Sequence, residues 1–100
     1  MKSISVQELA ALGQDALIVD VREDNEFAAV RVAGTTSIPL SRFVQSLADV
    51  PAPGAVYVLC AAGARSAQAT AYLADHGYDA VNVTGGINEW QLAGLPVDRG

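Results

Sequence analysis

Apolar positions in this chain fall into short unbroken runs, separated by stretches whose apolar residues recur at helical spacing. ALIVD (16–20) and AVYVLC (55–60) are continuous runs of strand length, the pattern of strands buried on both faces of a sheet. DAVNVTGG holds a further strand centred on Ala80–Val83. Residues 3–4 fit a short edge strand and TSIP (36–39) another, with Pro39 confined to its end or edge. Between these runs, SAQATAYLADHG (66–77) spaces Ala69, Tyr72, Leu73 and His76 three to four residues apart and closes on Gly77, which predicts a helix. Ser5 and Glu8 form a capping-box pair for a short helix closing near Gly13. Asp24 or a neighbour is placed to cap a helix in REDNEFAA, and Ser41 to cap one in RFVQSLA. PAPG (51–54) is a turn cluster, and INEWQLAG is a short helix stopping near Gly94, with Pro96 beyond it. The alternation predicts one small α/β domain over residues 1–100, with a mainly parallel sheet covered by helices on both faces.

Composition narrows the function. With 51% hydrophobic residues and 17% charged, the chain has material for a core and no signature of disorder. A formal net charge of −5, with 6 Lys and Arg in all, argues against nucleic acid or an anionic membrane as partner. The single Cys and single His exclude an internal disulfide and a Cys- or His-rich metal site, so no metal is expected. MKSISVQEL has no long apolar run after its lysine and no segment approaches membrane length. With an unpaired thiol, these features predict a cytoplasmic location.

That thiol, Cys60, stands where a buried strand runs into a helix. If Leu59 ends the strand and Ser66 begins the helix, Cys60 lies at the carboxyl end of a parallel strand, where open α/β sheets place ligands. Ala61, Ala62, Gly63 and Ala64 then separate it from Arg65. Such small side chains allow successive N–H groups to turn inward as an anion nest, helped by the helix N-terminus. The same field stabilises a thiolate. A buried structural cysteine is the competing reading of these residues. Arg65 either attracts an anion or locks the loop by pairing with an acidic residue. Asp20, at a strand end, either receives backbone N–H bonds or pairs with a base. Arg22 either faces an anion or pairs with Glu26 one helical turn on. Glu23 and Glu26 read as helix-start and surface groups, and His76 as a helix-terminal or half-buried residue. Gly85 and Gly86 suit a tight strand-to-helix turn, with a pocket wall opposite the Cys60 loop as the other reading, and Trp90 and Leu92 read as packing residues.

In their order and separation, DVREDNEF (20–27), AGTTSIPL (33–40), CAAGARS (60–66) and GGINEWQLAGLPV (85–97) resemble the rhodanese family of sulfurtransferase domains. The resemblance covers nearly the whole chain. It implies a small three-layer α/β fold with the active loop between a central strand and a helix. It also implies that Cys60 is the sulfur-carrying nucleophile and that the amides of Ala61 through Arg65 form its cradle. Ala61, Ala62, Gly63, Ala64, Arg65 and Ser66 are thus the candidate substrate-binding residues, and Asp20, Arg22, Gly85 and Gly86 candidate supports. The chain departs from the family at Arg31, where a His is common, and at Val30, which replaces a Gly. Ala61 and Ala64 also leave the loop without polar side chains that many members carry.

The chemistry implied is two-step covalent transfer. Cys60 takes the outer sulfur of thiosulfate or of a persulfide donor, then yields it to a thiol acceptor, which can be a protein, or to cyanide. Sulfur rides on the cysteine itself, which is why no cofactor is expected. A Cys-based phosphatase or arsenate reductase is the nearest chemical rival, but its usual loop has one residue more between Cys and Arg. A non-catalytic rhodanese-like binding or regulatory module is the alternative of a different class.

Overall fold

The computed structural model describes residues 1–100. The chain begins with β1 (Lys2–Ile4), α1 (Val6–Leu12), β2 (Leu17–Asp20), α2 (Asp24–Ala29), β3 (Val30–Arg31) and β4 (Thr36–Ser37). Two 3₁₀ turns follow, Leu40–Arg42 and Leu47–Asp49. The chain ends with β5 (Ala55–Leu59), α3 (Ala64–Asp75), β6 (Asp79–Val83), α4 (Gly86–Leu92) and β7 (Asp98–Arg99). Five strands form one sheet in the order β1-β6-β5-β2-β4, every pairing parallel. The two apolar runs, β2 and β5, lie side by side at its centre, with Val19 opposite Val58 and Asp20 opposite Leu59. Their continuous hydrophobicity reflects burial on both faces.

Period-two alternation divides β5 between two cores. Val56 and Val58, with Cys60, point into a cluster with Val19, Val21, Ile38, Phe43, Val50, Ala69 and Leu73, beneath α3 and the 40–50 segment. Leu59 points the other way, to Val6, Leu9, Val83, Ile87 and Trp90 beneath α1 and α4. Helices thus cover both faces, as the sequence pattern predicts. No helix is long and apolar enough to cross a membrane.

The capping box at Ser5 and Glu8 forms in both directions, and Gly13 ends α1. Trp90 is buried and donates its indole N–H to the Pro96 carbonyl at 2.8 Å. Two expectations, for RFVQSLA and for Leu92, are corrected. RFVQSLA forms no α-helix: Phe43 and Val50 must both reach the α3-side core, which the 3₁₀ turns allow, and the Ser41 hydroxyl donates to Glu23 Oε1 at 2.6 Å instead of capping. Of Asp24 and its neighbours, Glu23 is the N-cap of α2, and its N–H donates to Glu26 Oε1 at 3.0 Å. Leu92 does not pack; it is 80% exposed. His76 is helix-terminal, one of its two expected placements: it caps the C-terminal end of α3, exposed, with Nδ1 2.8 Å from the Tyr72 carbonyl. A small antiparallel sheet of β3 with β7 was not anticipated; each strand has only 2 residues, too few for a periodic signal.

Candidate active site

Cys60 follows the last residue of β5, at the carboxyl edge of the central strand. The helix after it starts at Ala64, two residues ahead of the expected Ser66, because Gly63 serves as N-cap with φ of 113°. A left-handed backbone there favours glycine, and it aims the Gly63 N–H at Cys60 Sγ, 3.0 Å away. Ser66, fully buried on the first turn of α3, places Oγ 3.3 Å from Sγ and donates its own proton to the Gly63 carbonyl at 3.1 Å. Once sulfur is ionised, the same hydroxyl can turn to donate to it.

Burial, with the residue only 1% exposed, pushes the Cys60 thiol up. The Ser66 hydroxyl and the amides of Ser66, Gly63 and Ala62 outweigh it, and the net shift is below the ordinary thiol value. The thiolate is therefore favoured above this lowered pKa, and protonation removes the advantage as pH falls through it. Thiolate ultraviolet absorbance followed against pH is expected to give a midpoint below the free value of about 8.5. Ser66→Ala is expected to move it upward. A wild-type midpoint at or above the free value would contradict the arrangement.

The loop carbonyls are held from the opposite side. The N–H groups of Ile87 and Asn88, in the first turn of α4, donate to the carbonyls of Cys60 and Ala61 at 2.9 and 3.0 Å. With those oxygens turned toward α4, the N–H groups of Ala62 and Gly63 face the sulfur. Gly86 makes this contact possible: a Cβ there would stand 2.4 Å from the Cys60 carbonyl oxygen and 2.5 Å from that of Ala61. Gly85 packs against Glu89 and lies beside Gly63.

Arg65 is committed to an acidic partner. Its guanidinium makes a two-pronged bridge to Glu26, Nη1 to Oε1 at 2.7 Å and Nη2 to Oε2 at 3.0 Å. Hydrogen bonds from Arg65 are the chief cause of the Glu26 carboxyl lying at about 2. The bridge thus ties the Cys60 loop to α2. Glu26, read from sequence as a surface group, is the residue that reading missed. Asp20 and Arg22 form a second, buried pair: Nε of Arg22 donates to both carboxylate oxygens at 3.1 Å and Nη2 to Oδ2 at 2.8 Å. Arg22 also donates to the backbone carbonyls of Glu26 and Val30, at 3.3 and 2.7 Å. It is 2% exposed, so it neither faces an anion nor pairs with the Glu26 carboxylate. Instead it holds carbonyls of the C-terminal half and C-cap of α2, the helix that carries the partner of Arg65.

A family model for the rhodanese-like domain matches residues 5–93. The chain belongs to the rhodanese-like domain family. Among similar proteins, a sulfurtransferase of Allochromatium vinosum is 35% identical over 96 residues, spanning 95% of this chain and 90% of its relative. Thiosulfate sulfurtransferase GlpE of Actinobacillus succinogenes is 35% identical over 88 residues, 85% of this chain and 78% of that one. The crystal structure of a rhodanese-related protein from Thermoplasma volcanium matches with a TM-score of 0.93 and 32% identity, covering 98% of both chains.

Against this family, the departures at Val30 and Arg31 have a local explanation. Val30 leaves α2 with an extended φ of −155°, and Val30–Arg31 pair with β7. Arg31 donates to the Ala28 carbonyl at 3.2 Å and lies over the Phe27 ring, closing the end of α2. In this rhodanese-like domain a hydrophobic strand residue and a helix-end cation stand at these two positions.

Proposed function

We propose that this domain is a sulfurtransferase in which Cys60 carries the transferred sulfur as a persulfide. The observation that carries the reading is the Sγ environment: a Gly63 N–H at 3.0 Å and the Ser66 hydroxyl at 3.3 Å, with a lowered thiol pKa, at the carboxyl end of the central strand. A Cys60 thiolate attacks the outer sulfur of a sulfane donor, thiosulfate or a persulfide, and sulfite or a thiolate leaves. The new outer sulfur rests in the cradle of Ala61 through Ser66 until an acceptor thiol, or cyanide, removes it. Near-complete burial of Cys60 suits a donor that presents one terminal atom more than attack at a bulky tetrahedral centre. Similarity to named sulfurtransferases supports the same class of chemistry.

The test is intact mass after incubation with thiosulfate and, separately, with a persulfide, followed by cyanide release of sulfur. Wild type is expected to gain about 32 Da, one sulfur on the thiol, and Cys60→Ser nothing. A protein that takes sulfur from neither donor is not a sulfurtransferase.

The Arg65–Glu26 bridge has the geometry of a clamp. Arg65→Ala and Arg65→Lys are both expected to slow single-turnover persulfide formation about ten- to a hundredfold through loss of loop position, since Lys lacks the planar fork. Glu26→Gln should act in the same direction. Rescue by lysine would show that positive charge alone is required. Because the Glu26 carboxyl is lowered from 4.5 to about 2, its contribution to stability is complete above the ordinary value and lost as pH falls through about 2.

A further inference from the structure

Every lysine and arginine side chain of this protein already has a partner. Lys2 pairs with Asp79, Arg22 with Asp20, Arg42 with Asp24 and Arg65 with Glu26. Arg31 is held by the Phe27 and Ala28 carbonyls and Arg99 by the Gln91 side chain. At the mouth of the loop, the exposed residues Ala62 and Ala64 offer only methyl groups. Glu89 packs its stem on Gly85, beside Gly63, and has no cationic partner. The surroundings of Cys60 thus combine inward amides, which hold charge on the sulfur itself, with an outer rim that lacks a free cation. The protein as a whole carries a net −5.

Resting on the Cys60 reading above, we propose that the donor this site is built for is a persulfide on an uncharged carrier, R–S–SH, rather than the thiosulfate dianion. With R–S–SH, the Cys60 thiolate attacks the outer sulfur, a new S–S bond forms to Cys60, the donor S–S bond breaks and R–S⁻ leaves. The proton stays on the transferred sulfur, so one negative charge enters the step and one leaves. With thiosulfate the thiolate meets two further charges, and the sulfonate oxygens find no uncommitted cation outside the amide cradle. Repulsion by the acidic surface opposes that encounter, and salt relieves it.

The experiment measures single-turnover persulfidation of the full chain by thiosulfate and by the persulfide of 2-mercaptoethanol, at low and at near-physiological ionic strength. Screening over that range shortens the Debye length from about 30 Å to about 8 Å. The thiosulfate rate is expected to rise about three- to tenfold with salt, and the persulfide rate, which passes through the protonated R–S–SH in equilibrium with its anion, to change by less than about twofold. Ala64→Lys at low salt is expected to raise the thiosulfate-to-persulfide rate ratio about tenfold, and near-physiological salt is expected to remove most of that gain, the mark of a charge effect and not of a reshaped loop. A thiosulfate rate that is level or falls with salt overturns the proposal, as does a ratio that Ala64→Lys leaves unchanged. Failure of both donors to load Cys60 would instead remove the sulfurtransferase reading itself.

Discussion

Asp20→Ala is expected to cost about 3–5 kcal/mol of folding stability, the scale for leaving one partner of a buried ion pair alone. Asp20 is fully buried, and its carboxylate accepts from the Arg22 backbone N–H at 2.9 Å as well as from the guanidinium. Removing it strands a charged guanidinium inside the fold, still bonded to the carbonyls of Glu26 and Val30 but with no counter-charge. Against a typical total of about 5–15 kcal/mol for a domain, the variant should unfold at much lower urea, with an m value close to wild type. Asp20→Asn keeps the shape and loses the charge, and should fall in the same direction. Removing both charges together, as Asp20→Leu with Arg22→Met, should recover part of the loss, since no bare charge remains. A loss below about 1 kcal/mol for Asp20→Ala, the level of an exposed pair, would show that Arg22 has found water.

Gly86→Ala is the second large effect, and it joins stability to the site. The new methyl would stand 2.4 Å from the Cys60 carbonyl oxygen and 2.6 Å from the Ala61 carbonyl carbon, on a backbone with φ of 58°. The left-handed conformation alone costs a non-glycine residue about 1–2 kcal/mol, and overpacking adds about 1–3 kcal/mol. The atoms in the way are backbone, so no rotamer relieves them. Relief requires α4 to part from the Cys60 loop, which breaks the Ile87 and Asn88 bonds to its carbonyls. The variant is therefore expected to lose about 3 kcal/mol and to show a Cys60 pKa raised toward that of a free thiol. Gly34→Ala, also at positive φ but with open space around the added carbon, isolates the backbone part. A Gly86→Ala protein no less stable than Gly34→Ala, with an unshifted thiol pKa, would refute the coupling.

Local pattern alone determined most of the scaffold. β2 and β5 were legible because strands buried on both faces have no polar positions to interrupt the run, and the Ser5–Glu8 box because its groups lie within one turn. The Cys60 loop was legible for a similar reason: small residues between a strand and a helix restrict what its backbone can do. Tertiary structure decided the rest. Glu26 and Arg65 stand 39 residues apart, and only the packing of α2 beside the loop makes them a pair. Arg22 kept two readings in sequence until Asp20 claimed it, because a guanidinium follows whichever carboxylate the fold buries with it. The 40–50 segment has the composition of a helix, yet its course is set by a core that must receive both Phe43 and Val50. Propensity is a matter of tenths of a kcal/mol per residue, whereas burying such side chains contributes about 1.5–3 kcal/mol each. Where the two conflict, packing wins, and a single sequence read locally does not contain that packing.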